Sequence, residues 1–349
     1  MDKTYLKFIY ILLIYFAYVN CSAIKRVRNH KLNKKHKNGI VIEVDINPAK
    51  TEKFSGPYAF IKSINQILPY KTNNCSFKAS SKIKPTSRKN KSDYYYYSFP
   101  RFNENDYNTW VRNNKANKLI LGPNFVPSNW YNFPNPNSWK ERRFREILES
   151  VKGVVTHSDR VRDHLAEKSN TTSLINKYIN VRACTNLKPI NVKSFNGRTI
   201  DILYFEKYAD TDRSKQGKEL LELLNNSGKK VVKMEYGSYD KEKMMEWAND
   251  SKFILYFSFY DTGAIGLKEI QNYGAITFTH QEEFVPDVTT GYYIPELASE
   301  DNIESAYKII MEIVDKVTKE NPDSEIIAKT NQEVNRCERA LDDLCQSLS

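Results

Sequence analysis

Two carboxylates, Asp261 and Glu269, stand eight positions apart across a turn that carries Gly263 and Gly266. Placed at a crevice, such a pair is a candidate for ligand binding, although spacing alone does not make it an acid/base pair. The same spacing fits Asp261 as a helix cap and Glu269 as a solvated helix residue. Cations cluster upstream: Lys207, Arg213 and Lys215 follow an apolar run at 200–205. Gly56 follows the first apolar run of the chain, where a glycine-bearing loop entering a helix offers free N–H groups to an anion. Asp210 and Asp212 form an Asp-x-Asp triplet that could hold a divalent cation with a diphosphate. His157 ends another apolar run, where a lone histidine is more often structural than catalytic.

The elements that must position these residues follow from hydrophobic pattern. The run 253–260 has strand length, Ile265 to Tyr273 reads as a short helix stopped by Gly274, and 275–278 is a second strand. Strand, turn, helix and strand make a βαβ unit, and ligands gather at the carboxyl ends of its strands. Strands at 200–205 and 230–234 and helices around Leu220 to Leu224 and over 239–249 repeat the alternation, so this half reads as a doubly wound parallel sheet. The first half alternates less cleanly: strands at 39–45, 94–99, 119–125 and 153–158, helices at 58–68, 139–151 and 159–168, and a basic, Ser-rich stretch at 71–93 read as a surface insertion. A loop at 126–139 holds Trp130 and Trp139 and could line an acceptor cleft or pack over the core.

With 349 residues, two domains are expected, 39–190 and 198–325, joined by a polar linker and followed by a C-terminal helix at 326–349. Residues 1–23 read as a signal peptide or signal anchor, and 24–38 as a basic stem. These features, with N-glycosylation sequons such as Asn74 and Asn170, point to a lumenal or secreted protein, possible membrane association resting on the N-terminus. The net charge of +11 is concentrated in the first hundred residues rather than on a recognition element, which argues against nucleic acid. Cys75, Cys184, Cys337 and Cys345 are free to pair in three ways, and their scattered spacing does not fit a metal site.

In the order Lys207, Lys215, Asp261, Glu269, Gly274 and a Gly291-to-Pro295 turn, the second half resembles the group 1, family 4-like glycosyltransferases of GT-B architecture. The resemblance implies an α/β fold of two doubly wound Rossmann-like domains facing a cleft. It implies a nucleotide-sugar donor, a glycan, protein or lipid acceptor, and a retaining transfer with no metal or other cofactor. It assigns the ribose hydroxyls to Glu269 and the donor sugar to Asp261. The diphosphate falls to Lys207 and Lys215, with Arg213 as a substitute, beside the glycines Gly56 and Gly263; His157 and Ser158 resemble a cleft-facing hinge element. The first acid is Asp where Glu is usual, which shortens its reach, and the basic pair is eight positions apart, wider than usual. A metal-dependent transferase using Asp210 and Asp212, and a secreted carbohydrate- or nucleotide-sugar-binding protein without turnover, are the competing expectations.

Overall fold

In the computed structural model the structure describes residues 39–45, 56–81, 83, 92–98, 104–123, 139–189, 191–207, 213–235, 240–258, 261, 263–285 and 290–349. The leader and stem, the Asp210 to Asp212 triplet and the loop at 126–138 lie outside them.

Two sheets organise the chain. The first has seven strands in the order β2-β3-β1-β4-β5-β6-β7: β1 (Ile40–Asp45), β2 (Tyr70–Lys71), β3 (Cys75–Ser80), β4 (Tyr94–Ser98), β5 (Leu119–Gly122), β6 (Gly153–Thr156) and β7 (Tyr178–Asn180). All its pairings are parallel except that of the short edge strand β2 with β3. Helices α1 (Gly56–Asn65), α2 (Glu104–Arg112), α3 (Trp139–Ser150) and α4 (Asp159–Lys168) connect the strands. The stretch read as a surface insertion instead supplies β3, which pairs with β1 along its whole length from Ile40↔Cys75 to Asp45↔Ser80. Its alternation buries Cys75 and Phe77 under the sheet and turns Ser76 and Lys78 outward, so only two apolar residues marked it.

The second sheet is all parallel, ordered β12-β11-β10-β8-β9: β8 (Ile200–Lys207), β9 (Val231–Glu235), β10 (Ser251–Ser258), β11 (Ile276–Thr279) and β12 (Gly291–Tyr293). Helices α5 (Arg213–Asn225), α6 (Lys241–Asp250), α7 (Ile265–Gln271) and α8 (Ile303–Glu320) flank it. The central strands are buried on both faces, which is why they read as continuous apolar runs rather than alternating ones. Ile202, Tyr204, Phe253 and Leu255 pack with Leu220 and Leu224 of α5 and with α8; Leu203, Phe205, Ile254 and Tyr256 pack with Met244 of α6 and Leu267 of α7. Each such side chain contributes roughly 2 kcal/mol by leaving water.

The expected single C-terminal helix is two, α9 (Ser324–Val334) and α10 (Cys337–Leu348), broken at Asn335 and Arg336. Asn331 of α9 donates to the Gln271 carbonyl at 2.7 Å, fixing that helix to the second sheet's layer. Along α10, Leu341 and Leu344 join the core of the first sheet. Two disulfides hold it there, Cys75–Cys345 and Cys184–Cys337, resolving the pairing left open by the sequence. The chain therefore crosses between the layers twice, near Thr185 and at Asn335, and the Thr185 N–H donates to the Asn335 carbonyl at 3.0 Å where the crossings meet.

Candidate functional site

The second sheet reverses its winding between β8 and β10, since the chain leaves β8 for β9 on one side and returns to β10 on the other. A crevice opens at the carboxyl ends of such neighbouring strands. Register places Lys207, the last residue of β8, opposite Ser258, the last of β10. The turn that follows β10 carries Asp261, which is 4% exposed.

Asp261 is held on both oxygens. Lys207 Nζ lies 2.7 Å from Oδ2, which also accepts the Tyr256 hydroxyl, while Oδ1 accepts the N–H groups of Gly263 at 3.2 Å and Ala264 at 2.9 Å. Burial pushes its pKa up, but the Lys207 ammonium and the hydrogen bonds from Lys207, Tyr256 and Ala264 outweigh that and hold the carboxyl below its ordinary value. Asp261 thus braces the turn that leads into α7 and ties it to β8; it is not the helix cap of one expected reading, since the cap position is Ala264 and carries no side-chain cap bond. Ala264 takes the left-handed conformation, φ 44°, so a strained alanine sits where β10 gives way to α7.

Glu269 lies in the second turn of α7 and is 8% exposed. It is not a solvated helix residue: its Oε1 receives Lys241 Nζ at 2.7 Å, and that lysine is half exposed at the start of α6. Leu267 and Ile270 of the same helix enter the second core, whereas Ile265 enters the core of the first domain, so α7 is seated between the two.

Of the other expected residues, Lys207 is brought to Asp261, and Arg213 is the first residue of α5. Lys215 is exposed in that first turn and forms no ion pair with a described residue. Next to it, the Gln216 side chain is 5% exposed, and its carboxamide makes no hydrogen bond to any described residue. A buried amide in that condition is costly unless something outside the chain satisfies it. Gly56 is the first residue of α1, a helix that packs on α7. Gly263 faces the first domain rather than open space: a Cβ built on it would stand 2.5 Å from His157 Cδ2. Only glycine admits that approach.

His157 follows β6, with Nδ1 3.0 Å from the Val181 carbonyl and its ring edge-on to Phe60. Part of its rim reaches the interdomain space, but the ring is enclosed by protein. Loss of water lowers its pKa to about 4, against smaller upward pulls from the Val181 carbonyl and Asp261. Ser158 caps α4 by accepting the Val161 N–H at 3.2 Å. Two residues on, Arg160 reaches across to the second domain. A cavity of about 690 Å³ opens between the domains there, bordered by His157, Arg160, Asn180, Arg182, Glu283 and Asp343.

Sequence reasoning passed over Lys241, Tyr256, Arg160 and Gln216. Lys241 and Arg160 are ordinary charged residues of a first helical turn, and their partners lie 28 and 101 or more positions away. The tyrosine hydroxyl was hidden inside an apolar run. Among the described residues no group of three or more His, Cys, Asp or Glu side chains is gathered as for a metal ion, and no helix is long and apolar enough to cross a membrane.

No protein-family model matches this sequence, and no curated protein matches it significantly. Solved structures do. The lipopolysaccharide outer core galactosyltransferase WaaB, in its apo form, superimposes with a TM-score of 0.50 at 10% identity, over 89% of this chain and 99% of its own. TarM aligns with a TM-score of 0.45 at 12% identity over 66% of this chain, which spans only 50% of TarM. The catalytic domain of starch synthase IV from Arabidopsis thaliana, bound to ADP and acarbose, aligns over 93% of this chain and 74% of its own with a TM-score of 0.40 at 11% identity. Two doubly wound α/β sheets, parallel but for the edge strand β2, with a crevice between them, in the arrangement shared with WaaB over nearly the whole of both chains, give this protein the GT-B fold.

Proposed function

We propose that this protein is a glycosyltransferase that moves a sugar from a nucleotide-sugar donor to a hydroxyl of a glycan, protein or lipid acceptor. The observation that carries the reading is the convergence, at the switch point of the second sheet, of the Lys207–Asp261 pair and α7 with Glu269. In this reading Glu269, steadied by Lys241, takes the ribose hydroxyls. The first turn of α5, with Arg213, Lys215 and its main-chain N–H groups, takes the diphosphate. Gln216 completes that pocket by bonding the donor.

The reaction breaks the bond between the anomeric carbon and the diphosphate oxygen and forms one to the acceptor oxygen, whose proton leaves to a phosphate oxygen or to water. Charge developing on the leaving diphosphate is met by fixed cations and N–H groups, so the transfer runs without a metal, and retention of configuration is the expected outcome. Asp261 acts here by holding the turn, since both of its oxygens are already engaged. The acceptor enters from the first-domain side. Two disulfides support assignment to an oxidising compartment, lumenal or secreted, with the N-terminus as leader or anchor.

A thermal-shift screen against UDP-, GDP-, ADP- and CMP-linked sugars tests this directly, because a ligand bound only by the native state raises the melting temperature. One nucleotide family should shift it by several degrees and then support transfer; silence across the panel would refute the donor site. The close engagement of Asp261 favours one alternative, a nucleotide-sugar-binding protein without turnover. Calorimetric binding with neither donor hydrolysis nor transfer would identify it.

A further inference from the structure

The turn that carries Asp261 is gripped from the other domain. Arg160, in the first turn of α4, sends Nη2 to the Asp261 main-chain carbonyl at 3.0 Å and to Gln281 Oε1 at 2.7 Å, while its Nε meets Glu283. Gln281, buried just past β11, relays the contact, for its amide donates to the Ser258 carbonyl at the end of β10. The arginine thus reaches the last strand residue through Gln281 and the turn directly. Three residues earlier in the chain, His157 rests on Gly263 so closely that no side chain would fit between them. One short segment of the first domain, 157–160, therefore touches the donor-side turn at two points.

An ordinary interdomain ion pair would need only Glu283. Two of the three bonds of Arg160 go instead to neutral acceptors, one of them the carbonyl of the residue whose side chain organises the turn. A planar guanidinium can serve several acceptors in fixed directions, whereas a lysine in its place would offer a flexible point charge. Separation of the domains would break all three bonds together and remove the outer support of the turn.

We propose that Arg160 is a positioning residue that couples closure of the two domains to the form of the Asp261 turn, so that the donor site reaches its working geometry only when the acceptor domain is docked. The catalytic consequence rests on the glycosyltransferase reading; the coupling itself does not.

The test uses Arg160→Ala, Arg160→Lys and Glu283→Ala in the full chain. Hydrogen exchange at the Gly263 and Ala264 amides, both bonded to Asp261, reads the coupling without any activity. Arg160→Ala should speed exchange there at least tenfold while leaving amides of β8 unchanged, Glu283→Ala should speed it about threefold, and Arg160→Lys should fall between wild type and the alanine variant. In turnover, Arg160→Ala should lower kcat at least tenfold while donor Kd moves less than threefold, with partial rescue by lysine. Unchanged exchange at Gly263 and Ala264 in Arg160→Ala would overturn the proposal, as would a loss of donor affinity with kcat intact. Should Arg160→Ala fail to fold, Glu283→Ala decides by the same exchange measurement. A wild-type protein that binds no nucleotide sugar would defeat the glycosyltransferase reading and leave the exchange result to judge the coupling.

Discussion

At position 261 a carboxylate that is 4% exposed accepts hydrogen bonds from a lysine, a tyrosine and two main-chain N–H groups, and its own carbonyl is held from the opposite domain. Eight residues later Glu269, among the described residues, receives a side-chain bond from a lysine that is half exposed. The two acids look equivalent as a spacing, yet one is surrounded by partners that fix its orientation and the other by a cation that a ligand can displace. In the proposed reading the first shapes the site and the second meets what enters it.

Stability measurements break the comparison most sharply. Asp261→Ala removes the ion pair with Lys207 from a largely buried position and leaves the Gly263 and Ala264 N–H groups without their carboxylate acceptor, which should cost roughly 3–5 kcal/mol in urea unfolding. Glu269→Ala should cost less than about 1 kcal/mol, since Lys241 can turn to water. Equal losses would mean that the acids play the same part.

A second difference is expected on the acid side of the pH range. His157 has its pKa lowered to about 4 in the folded protein from about 6.5 unfolded, so the unfolded chain binds a proton that the folded one refuses across that interval. Stability should therefore fall as pH drops from 6.5 toward 4, by up to about 3 kcal/mol if the full shift is expressed. Asp261, whose pKa is depressed, contributes stability that is present above the ordinary carboxylate pKa and lost only below it. His157→Phe should flatten the upper interval and leave the lower one, read by urea midpoints at pH 7, 5 and 3.5. An unchanged slope between pH 6.5 and 4 would show that the ring is solvated.

How much of this was open to inspection in the chain depends on the range over which each feature is determined. The strand read at 253–260 and found at Ser251–Ser258, the helix from Ile265 and the stop at Gly274 are local, set by apolar runs and by a glycine at φ +81° whose Cβ would strike the Ser324 carbonyl. The doubly wound α/β layering followed from the same alternation, whereas the GT-B architecture was implied only by the resemblance to the family 4-like glycosyltransferases. Strand β3 was missed because Cys75 and Phe77 are its only deeply buried side chains, and helix α2 because Tyr107 and Trp110 anchor an otherwise polar segment. Partners of the site residues were out of reach for another reason. Lys241 meets Glu269, Arg160 meets Asp261 and Cys75 meets Cys345 through tertiary packing over 28, 101 and 270 positions, and no local preference encodes such meetings.

The smallest expected effect sharpens the donor side. Lys215 is exposed and unpaired with described residues, so Lys215→Ala should leave the urea midpoint within error and weaken nucleotide-sugar binding about tenfold, near 1.4 kcal/mol, by removing one diphosphate contact. A variant that binds as the wild type does would move the diphosphate away from the first turn of α5.

The central claim, that a nucleotide sugar lies at the carboxyl ends of β8 and β10 with Glu269 on its ribose, is tested most directly by titration calorimetry. The donor that raises the melting temperature is titrated into wild type and Glu269→Ala at equal protein concentration. Loss of the ribose contact predicts a Kd at least about a hundredfold weaker, near 2.7 kcal/mol, in a variant that remains folded. Wild-type affinity in folded Glu269→Ala would contradict the account.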